Sequence, residues 1–395
     1  MCWLLSAVAP HALTVNLKII KQILTYISLF TVSGLLTLAL TGMIGDAYSF
    51  NQFFFGLRLF LGITTVILSI KIAHLVIISQ IAERTKKCLI LLTSLALLFW
   101  IADVAFMFVS RSFSTSYPLA DQNWTREYWN PINSLGYRAA EIDKKASLNK
   151  ITVLVVGSSY TAGDGIDKIE DRFSDKLNAL LPDNYAVLNL GDCGSEAIDA
   201  FSRMNEYPIK PDIIVFSHTT KSIKGIANKK KSIEDKKYNL AARLGAIGNF
   251  LVGSSYLANY VFWKAYAPMA MRDLYLEDID HNPIFLYLQR DKLEEHMANL
   301  QKFVAKSSND EIPLITVIFP AMNSSIGFTK TIVTDPVKQF FEERNVEVVD
   351  VYDLVKAIDP DDRVVNSNDA HPSVLVHDVV ATALYESITK IESLN

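Results

Sequence analysis

A serine, a histidine and an aspartate of this 395-residue chain have the types and settings that acyl chemistry requires. Ser159 lies in a turn of small residues directly after the apolar run Ile151–Val156, whereas Asp369 and His371 lie near the end of the chain. A hydroxyl becomes an effective nucleophile when a positioned imidazole accepts its proton and a third group orients the imidazole. The sequence therefore predicts a serine nucleophile, a general base and an acidic partner.

Both segments resemble motifs of the SGNH/GDSL hydrolases. Gly157-Ser158-Ser159 matches the Gly-Asp-Ser of the first motif, with Ser158 in place of the aspartate, and Asp369-Ala370-His371-Pro372 matches the last motif. The resemblance implies that Ser159 is the nucleophile and His371 the general base. Taken alone, the first motif has a second interpretation, a phosphate-binding or merely tight turn between a strand and a helix.

The acidic partner of His371 has two candidate positions. Many members of the family place it three residues before the histidine, which is Asn368 here. Asp369 is the better candidate because a carboxylate stabilises an imidazolium and an amide does not. Pro372 suits the first turn of the closing helix, which would leave His371 in an extended loop.

An oxyanion hole needs donors beside the nucleophile. The N–H of Ser159 is one candidate, because the helix that follows it directs free N–H groups at the site. Asn189–Gly194 resembles the second motif of the family, whose glycine donates its N–H, so Gly194 is expected in this role, with Gly191 as the alternative.

The third motif departs from the family. Its asparagine and aspartate fall on Lys221 and Ser222 here. Losing one oxyanion donor typically costs about 10²–10³ in rate. Lys221 is the expected replacement, and Thr219 or Thr220 is the alternative.

Strands and helices alternate from Ile151 onward, which predicts a flavodoxin-like, doubly wound parallel sheet of five strands. The predicted strands are Ile151–Val156, Ala186–Leu190, Asp212–Ser217, Pro313–Phe319 and Val346–Val349. The predicted helices are Asp171–Leu181, Ser195–Asn205, Thr331–Arg344 and Val374–Ile391. Ligands bind beyond the carboxyl ends of such strands, which is where the candidate residues gather.

Two segments do not match the sheet. Residues 111–150 read as a juxtamembrane linker whose aromatic residues lie either at lipid headgroups or on the folded domain. Within it, Asn133–Arg138 resembles the lead-in segment of membrane-anchored SGNH proteins. An insert at about 222–310 contains a basic run followed by the apolar stretch Tyr238–Met271. It is either a lid or membrane-facing patch or, as slightly favoured, an ordinary helical subdomain.

Three apolar segments, Ile23–Ile44, Phe53–Ile78 and Cys88–Val109, are each long enough to span a bilayer, so residues 1–110 are expected to form a membrane anchor. The loop Glu83–Lys87 carries net positive charge, which favours the cytoplasmic side. The expected location is the bacterial inner membrane, with the N-terminus inside and residues 151–395 in the periplasm. Arg58 and Asp103 lie about 8–9 Å inside their segments and are expected to pair.

The composition excludes several classes of protein. A net charge of −4 gives no reason to expect a nucleic-acid partner. The three cysteines do not form a disulfide framework, and Cys193 is expected to be a buried thiol. The sequence contains no metal-ligand cluster or nucleotide fingerprint, so no cofactor or metal is predicted. His377 is expected to be structural, and His218 either faces the site or is a satisfied polar group.

These observations predict a membrane-anchored serine esterase that acts on an O-acylated glycan or a lipid ester. Two alternatives stay open. The first is a glycan O-acyltransferase, which would need a membrane partner to supply the acyl group, because three spans are too few for an acyl-carrier channel. The second is a catalytically inactive SGNH fold that binds an envelope glycan or a partner protein, and the departure at Lys221 motivates it.

Overall fold

The computed structural model describes residues 5–141, 149–226, 239–277, 282–323 and 326–392. The chain divides into two compact units. The first comprises residues 1–111, 117–123 and 239–269, and the second comprises residues 112–116, 124–238 and 270–395. The basic run at 229–237, Cys2 and His281 lie outside the described residues.

The helices are α1 (Leu5–Thr41), α2 (Gln52–Ile78), α3 (Glu83–Phe106), α4 (Leu119–Tyr128), α5 (Ser159–Ala162), α6 (Phe173–Leu180), α7 (Ala197–Glu206), α8 (Gly245–Ser254), α9 (Tyr256–Val261), α10 (Ala267–Glu277), α11 (Pro283–Leu288), α12 (Arg290–Asp310), α13 (Ile326–Thr329), α14 (Asp335–Glu342), α15 (Val351–Val355) and α16 (Val374–Glu392). The strands are β1 (Ile151–Gly157), β2 (Tyr185–Gly191), β3 (Ile213–His218), β4 (Leu314–Ile318), β5 (Glu347–Asp350), β6 (Val364–Asn366) and β7 (Asp369–Pro372).

In the first unit, three helical segments are long and apolar enough to cross a membrane: Asn16–Thr41, Gln52–Ile78 and Glu83–Phe106. Asn51 caps α2, and its side chain accepts hydrogen bonds from the N–H groups of Phe53 and Phe54 in the first turn of that helix. The expected ion pair is present. Arg58 Nη2 lies 2.8 Å from Asp103 Oδ2, and both side chains are fully buried. Because a charge is costly inside a span, this pairing fastens α2 to α3.

Residues 239–269, which are part of the insert expected at about 222–310, do not form a compact unit of their own. They belong to the first unit, together with the three long apolar helices. The physical reason is the buried ion pair, because Ser255 Oγ donates a hydrogen bond to Asp103 Oδ1 at 2.6 Å and the carbonyl of Ser254 accepts one from Arg58 Nη2 at 3.2 Å.

The second unit contains the predicted sheet. Its five strands are all parallel and have the order β2-β1-β3-β4-β5, so the flavodoxin-like doubly wound fold is confirmed. Val153–Val156 of β1 have no exposed surface, because helices cover both faces of the sheet. Alternate residues pack on opposite sides. Leu154 and Phe216 lie in one core with Phe303. Val153 and Val155 lie in a second core, which α6 and α16 cover on the other face of the sheet.

The prediction that Pro372 begins the closing helix and leaves His371 in a loop was wrong. Asp369–Pro372 forms β7, which pairs antiparallel with Val364–Asn366. Pro372 therefore ends a strand and α16 begins only at Val374, so the proline does not open the closing helix. A proline fits the end of a strand because it has no N–H to donate to a ladder. His371 is consequently held in a two-stranded sheet, not in a free loop.

Candidate active site

The structure brings Ser159, His371 and Asp369 together. Ser159 Oγ lies 2.9 Å from His371 Nε2, and His371 Nδ1 lies 2.5 Å from Asp369 Oδ1. All three side chains are almost fully buried, with exposures of 8%, 5% and 1% for Ser159, His371 and Asp369. This is the geometry in which a hydroxyl can pass its proton to an imidazole that a carboxylate orients.

The turn after β1 fixes the position of Ser159. β1 ends at Gly157, and Ser159 begins the short helix α5. A Cβ at Gly157 would lie 2.3 Å from Thr161 Oγ1 and 2.8 Å from Ser217 Cβ, so a larger residue does not fit there. The absence of a side chain lets α5 pack against the ends of β1 and β3, and Ser159 consequently lies at the carboxyl edge of the sheet.

A segment outside the sheet holds the acidic partner. Ser114 Oγ lies 3.4 Å from Asp369 Oδ1 and accepts a hydrogen bond from the N–H of Ala370 at 2.9 Å. The N–H of Ser114 donates to the carbonyl of Asn368 at 3.1 Å. Asn368 Nδ2 is buried without a hydrogen-bond partner among the described residues, so its amide does not orient His371. Ser114 was missed in the sequence because nothing in its neighbourhood marks it.

The electrostatics of this arrangement favour an ionised Asp369 and a basic imidazole. Burial alone would raise the pKa of Asp369, but the charge of His371 and hydrogen bonds from His371 and Ser112 outweigh it and lower the pKa. Burial alone would lower the pKa of His371, but the charges of Asp369 and Asp164 outweigh it and raise the pKa. Such an imidazole is a stronger base than an isolated one.

Asp164 is a second carboxylate at this site and was missed in the sequence. Its Oδ2 lies 3.6 Å from His371 Nε2, on the ring nitrogen that also faces Ser159. Cys193 Sγ lies 3.7 Å from the same oxygen. Burial raises the pKa of Asp164, and the charge of His371 opposes this effect. The only signal in the sequence was its place in the loop after Ser159, which is too weak to assign a role.

Arg138 supports the loop that carries Asp164. Arg138 is 2% exposed, and its guanidinium donates hydrogen bonds to the carbonyls of Gly163 at 2.6 Å and Ile166 at 2.7 Å. The guanidinium also lies over the rings of Trp129 and Trp124, 4.9 and 5.8 Å from their centroids. These two tryptophans therefore pack on the folded domain, which was one of the two placements left open. The lead-in motif thus has a structural role beside the site.

The candidate oxyanion donors differ in availability. The N–H of Gly191 donates to Asn189 Oδ1 at 2.8 Å, so the alternative to Gly194 is already occupied. Gly194 adopts a φ of +80° on an exposed turn, and within the described part of the chain neither its N–H nor that of Ser159 has an acceptor. The Lys221 side chain lines a cavity together with His371, and its charge opposes the rise in the pKa of both His371 and Asp164. Lys221 is thus near the reacting groups.

A cavity of about 980 Å³ opens beside His371. Its walls combine apolar side chains with the cations Lys221 and Arg272, and Tyr160 and His371 form the wall nearest Ser159. The Tyr160 ring packs edge-on against His371, with 5.4 Å between ring centroids. Such a concave, largely apolar space beside polar groups is typical of a small-molecule site.

His218 and His377 lie away from the Ser159–His371 contact. His218 Nε2 lies 3.1 Å from His296 Nε2 and 3.1 Å from the Tyr287 hydroxyl, whereas its Nδ1 is buried without a hydrogen-bond partner among the described residues. His377 Nδ1 accepts a hydrogen bond from the N–H of Phe173 at 3.0 Å, in agreement with the structural role expected for it. Cys193 was expected to be buried, but it is exposed because it lies on the turn after β2.

No protein-family model and no curated protein matches this sequence. Among solved structures, the chain is similar to a catalytic mutant of an acetylxylan esterase from Geobacillus stearothermophilus (17% identity, TM-score 0.37, 60% of this chain and 93% of that one). It is similar to a putative lipolytic protein of the G-D-S-L family from Desulfitobacterium hafniense (13%, TM-score 0.33, 60% and 99%). It is also similar to a carbohydrate acetylesterase family member from Sinorhizobium meliloti (13%, TM-score 0.34, 60% and 96%). These similarities are distant.

Proposed function

We propose that this protein is a membrane-anchored serine ester hydrolase of the SGNH type. Its substrate is an O-acyl ester of a glycan or a lipid, outside the cytoplasm. The single observation that carries the proposal is the chain of contacts from Ser159 Oγ to His371 Nε2 at 2.9 Å and from His371 Nδ1 to Asp369 at 2.5 Å.

The proposed reaction has two halves. Ser159 Oγ attacks the ester carbonyl while its proton passes to His371 Nε2. The C–O bond to the alcohol then breaks, and the imidazolium returns the proton to the leaving alkoxide. In the second half, His371 takes a proton from water, whose oxygen attacks the acyl-serine. The bond between the acyl carbon and Ser159 Oγ then breaks, the imidazolium returns the proton to Ser159 Oγ, and the carboxylic acid is released. Asp369 stabilises the imidazolium in both halves.

The oxyanion that forms in each half needs donors. The N–H groups of Ser159 and Gly194 are the proposed backbone donors, and the Lys221 ammonium replaces the asparagine side chain of the family. An ammonium can donate hydrogen bonds and also neutralises negative charge, so it is suited to a developing oxyanion.

The proposed location follows from the anchor. Three apolar helices at the N-terminal end support membrane attachment. The positive charge between α2 and α3 supports a cytoplasmic N-terminus and an exported second unit. In this location the chain would be permanently associated with the lipid bilayer.

A fluorophosphonate probe tests the proposal, because it labels activated serines and does not require the natural substrate. We expect the detergent-purified full chain to be labelled at neutral pH. Ser159→Ala should abolish the labelling and His371→Ala should reduce it at least 100-fold. Gly253-Ser254-Ser255-Tyr256 repeats the letters around Ser159 and supplies a control. Ser255 corresponds to Ser159 but donates a hydrogen bond to Asp103, so the neighbouring variant Ser254→Ala is used and should be labelled like the wild type. A folded wild-type protein that is not labelled would contradict the proposal.

Two further outcomes are distinguishable. An inactive, glycan-binding or partner-binding protein is favoured by one observation, the replacement of the expected asparagine and aspartate by Lys221 and Ser222. Absence of labelling together with binding of an envelope glycan would support it. An acyltransferase would be labelled, but its acyl-enzyme would transfer to an added acceptor alcohol faster than to water, which product analysis would reveal.

A further inference from the structure

The cavity beside His371 has a composition that restricts its occupant. Its apolar surface comes from α10, α11 and the segment around α13, and includes Leu276, Pro283, Ile284, Met322 and Phe328. Phe328 is 58% exposed and Leu276 is 60% exposed, so much of this surface is open to an occupant. Burying it against an alkyl chain would be favourable, because apolar area is removed from water.

The charges of the cavity have one sign. Lys221 and Arg272 line it, and the lining residues that the structure describes include no carboxylate. Arg272 is exposed and lies on α10. Guanidinium and ammonium groups bind phosphate and carboxylate by charge-assisted hydrogen bonds. The cavity therefore complements an anion as well as an alkyl chain.

We propose that the cavity binds an anionic amphiphilic ester, with an acyl chain longer than acetyl on the apolar wall and a phosphate or carboxylate at Arg272. This inference rests on the proposed function, and it selects a lipid-like ester over an O-acetylated neutral glycan. The carbonyl of such an ester would lie at the Tyr160–His371 wall, next to Ser159.

Two pairs of esters test the inference through kcat/KM. For chain length, we expect 4-nitrophenyl octanoate to be hydrolysed at least tenfold more efficiently than 4-nitrophenyl acetate. For charge, we expect octanoyl lysophosphatidylglycerol to be preferred at least tenfold over octanoyl lysophosphatidylcholine. Arg272→Gln should reduce the preference for the anionic lysophospholipid about tenfold. Phe328→Ala should reduce the preference for octanoate over acetate. Arg290→Gln is the matched control, because Arg290 is 92% exposed and pairs with Glu294.

The outcomes separate this inference from the proposed function. If Ser159 is labelled by the fluorophosphonate but neither preference is found, the cavity inference is wrong and the proposed function stands. If Ser159 is not labelled, the test moves to calorimetric binding of the two lysophospholipids to the full chain. Equal affinity for the two lysophospholipids, or no binding of either, would overturn the inference in this experiment.

An independent observation concerns α8 and α9. The carbonyl of Ser254 accepts hydrogen bonds from Thr41 Oγ1 at 2.5 Å and Arg58 Nη2 at 3.2 Å. Asp103 Oδ1 accepts hydrogen bonds from Ser255 Oγ at 2.6 Å and from the N–H of Leu257 at 3.2 Å. The junction of the two helices therefore contacts side chains that lie inside the spanning helices, about 9 Å from the start of α2.

The outer surface of this helix pair is apolar. Ile247 is 79% exposed, Phe250 46% and Val261 53%. The sequence from Gly245 to Phe262 contains no charged residue. This surface belongs to the same unit as the exposed apolar surfaces of α1, α2 and α3, so in water it would be a large unfavourable patch.

We infer that α8 and α9 form a re-entrant hairpin in the hydrocarbon of the bilayer, and that lipid covers its outer surface. Its backbone is compatible with this environment because most of its polar groups are satisfied within helices, and the break at Ser254–Ser255 lies against the Arg58–Asp103 pair. The fourth apolar element of the anchor is therefore supplied from the middle of the chain.

A fluorescent NBD label on an introduced cysteine tests this inference in nanodiscs. The background carries Cys2→Ser, Cys88→Ser and Cys193→Ser. We expect Ile247→Cys to be quenched by nitroxide lipids as strongly as Leu95→Cys, a position on the spanning helix α3. Glu294→Cys on α12 is the aqueous control and should resist quenching. If Ile247→Cys behaves like Glu294→Cys, the hairpin does not enter the bilayer.

Discussion

Asp164 offers a direct test of how charge tunes the candidate general base. Its Oδ2 lies 3.6 Å from His371 Nε2, and its side chain retains 24% exposure. A negative charge at that distance stabilises the imidazolium and raises the pKa of His371. The imidazole can accept the Ser159 proton only when it is neutral, so activity should fall as the pH drops through that pKa. Asp164→Asn removes the charge and preserves the shape of the side chain.

The distance sets the magnitude. Coulomb's law at 3.6 Å gives about 1 kcal/mol for a dielectric constant of 80 and about 5 kcal/mol for a value of 20. Since 1.36 kcal/mol corresponds to one pKa unit, the range is about 1–3 units. Asp164 is partly solvated, so screening favours the lower end. We expect the pKa of His371 to fall by about one unit in the variant.

The assay is the rate of fluorophosphonate labelling between pH 5 and 9, because it reports on Ser159 without a substrate. In Asp164→Asn the acid limb of the profile should lie about one pH unit lower than in the wild type. Asp192→Asn is the control, because Asp192 is exposed and pairs with Arg203 at 3.0 Å. An acid limb that stays in place, or that moves to higher pH, would refute the electrostatic role of Asp164.

Three further outcomes are expected. Arg138→Ala should lower the free energy of unfolding of the second unit by about 2–4 kcal/mol, because it leaves buried carbonyls unpaired, and should slow labelling of the serine in the same preparation. Arg58→Ala should destabilise the detergent-purified chain by about 3–5 kcal/mol in thermal unfolding, because Asp103 is left as an unpaired buried charge. The double variant Arg58→Met/Asp103→Leu should be destabilised less, because it leaves no unpaired buried charge. Burial lowers the pKa values of His296 and His377 to about 3, so the folded chain binds fewer protons than the unfolded chain below pH 6.5. The contribution of these two histidines to stability is therefore retained above pH 6.5 and should fall by about 4 kcal/mol between pH 7 and pH 5. In chemical denaturation of His377→Gln, the loss of stability over this range should be about 2 kcal/mol smaller than in the wild type.

Structure and site residues could be predicted from the sequence where consecutive residues form a recognisable pattern. The run that forms β1 is apolar on both sides of the pleat, as a central parallel strand must be, and its limits were predicted to within one residue. The three long apolar helices were predictable because their signal, about 20 successive apolar residues, lies in consecutive positions. Ser159 and His371 were recognisable because each lies in a short motif.

Prediction failed where structure depends on pairing. The strand β7 that holds His371 needs β6 as its partner, and three residues of β6 carry too little periodicity to be identified. The helix predicted at Thr331–Arg344 is present as α14, but its first turn belongs to a π-helical turn at Lys330–Thr334.

The sequence by itself determined which residues could react, which strands are central and which helices are long enough to cross a bilayer. Each of these properties depends on the types of residues in one short stretch of the chain. Only the tertiary structure decided that Asp164 faces His371, that Ser114 holds the Asp369 segment, and that Ser254 contacts Arg58 across 196 positions of the chain. Such contacts come from the packing of distant segments. A polar group buried by that packing takes whichever partner the fold brings within reach, and no local pattern encodes the choice.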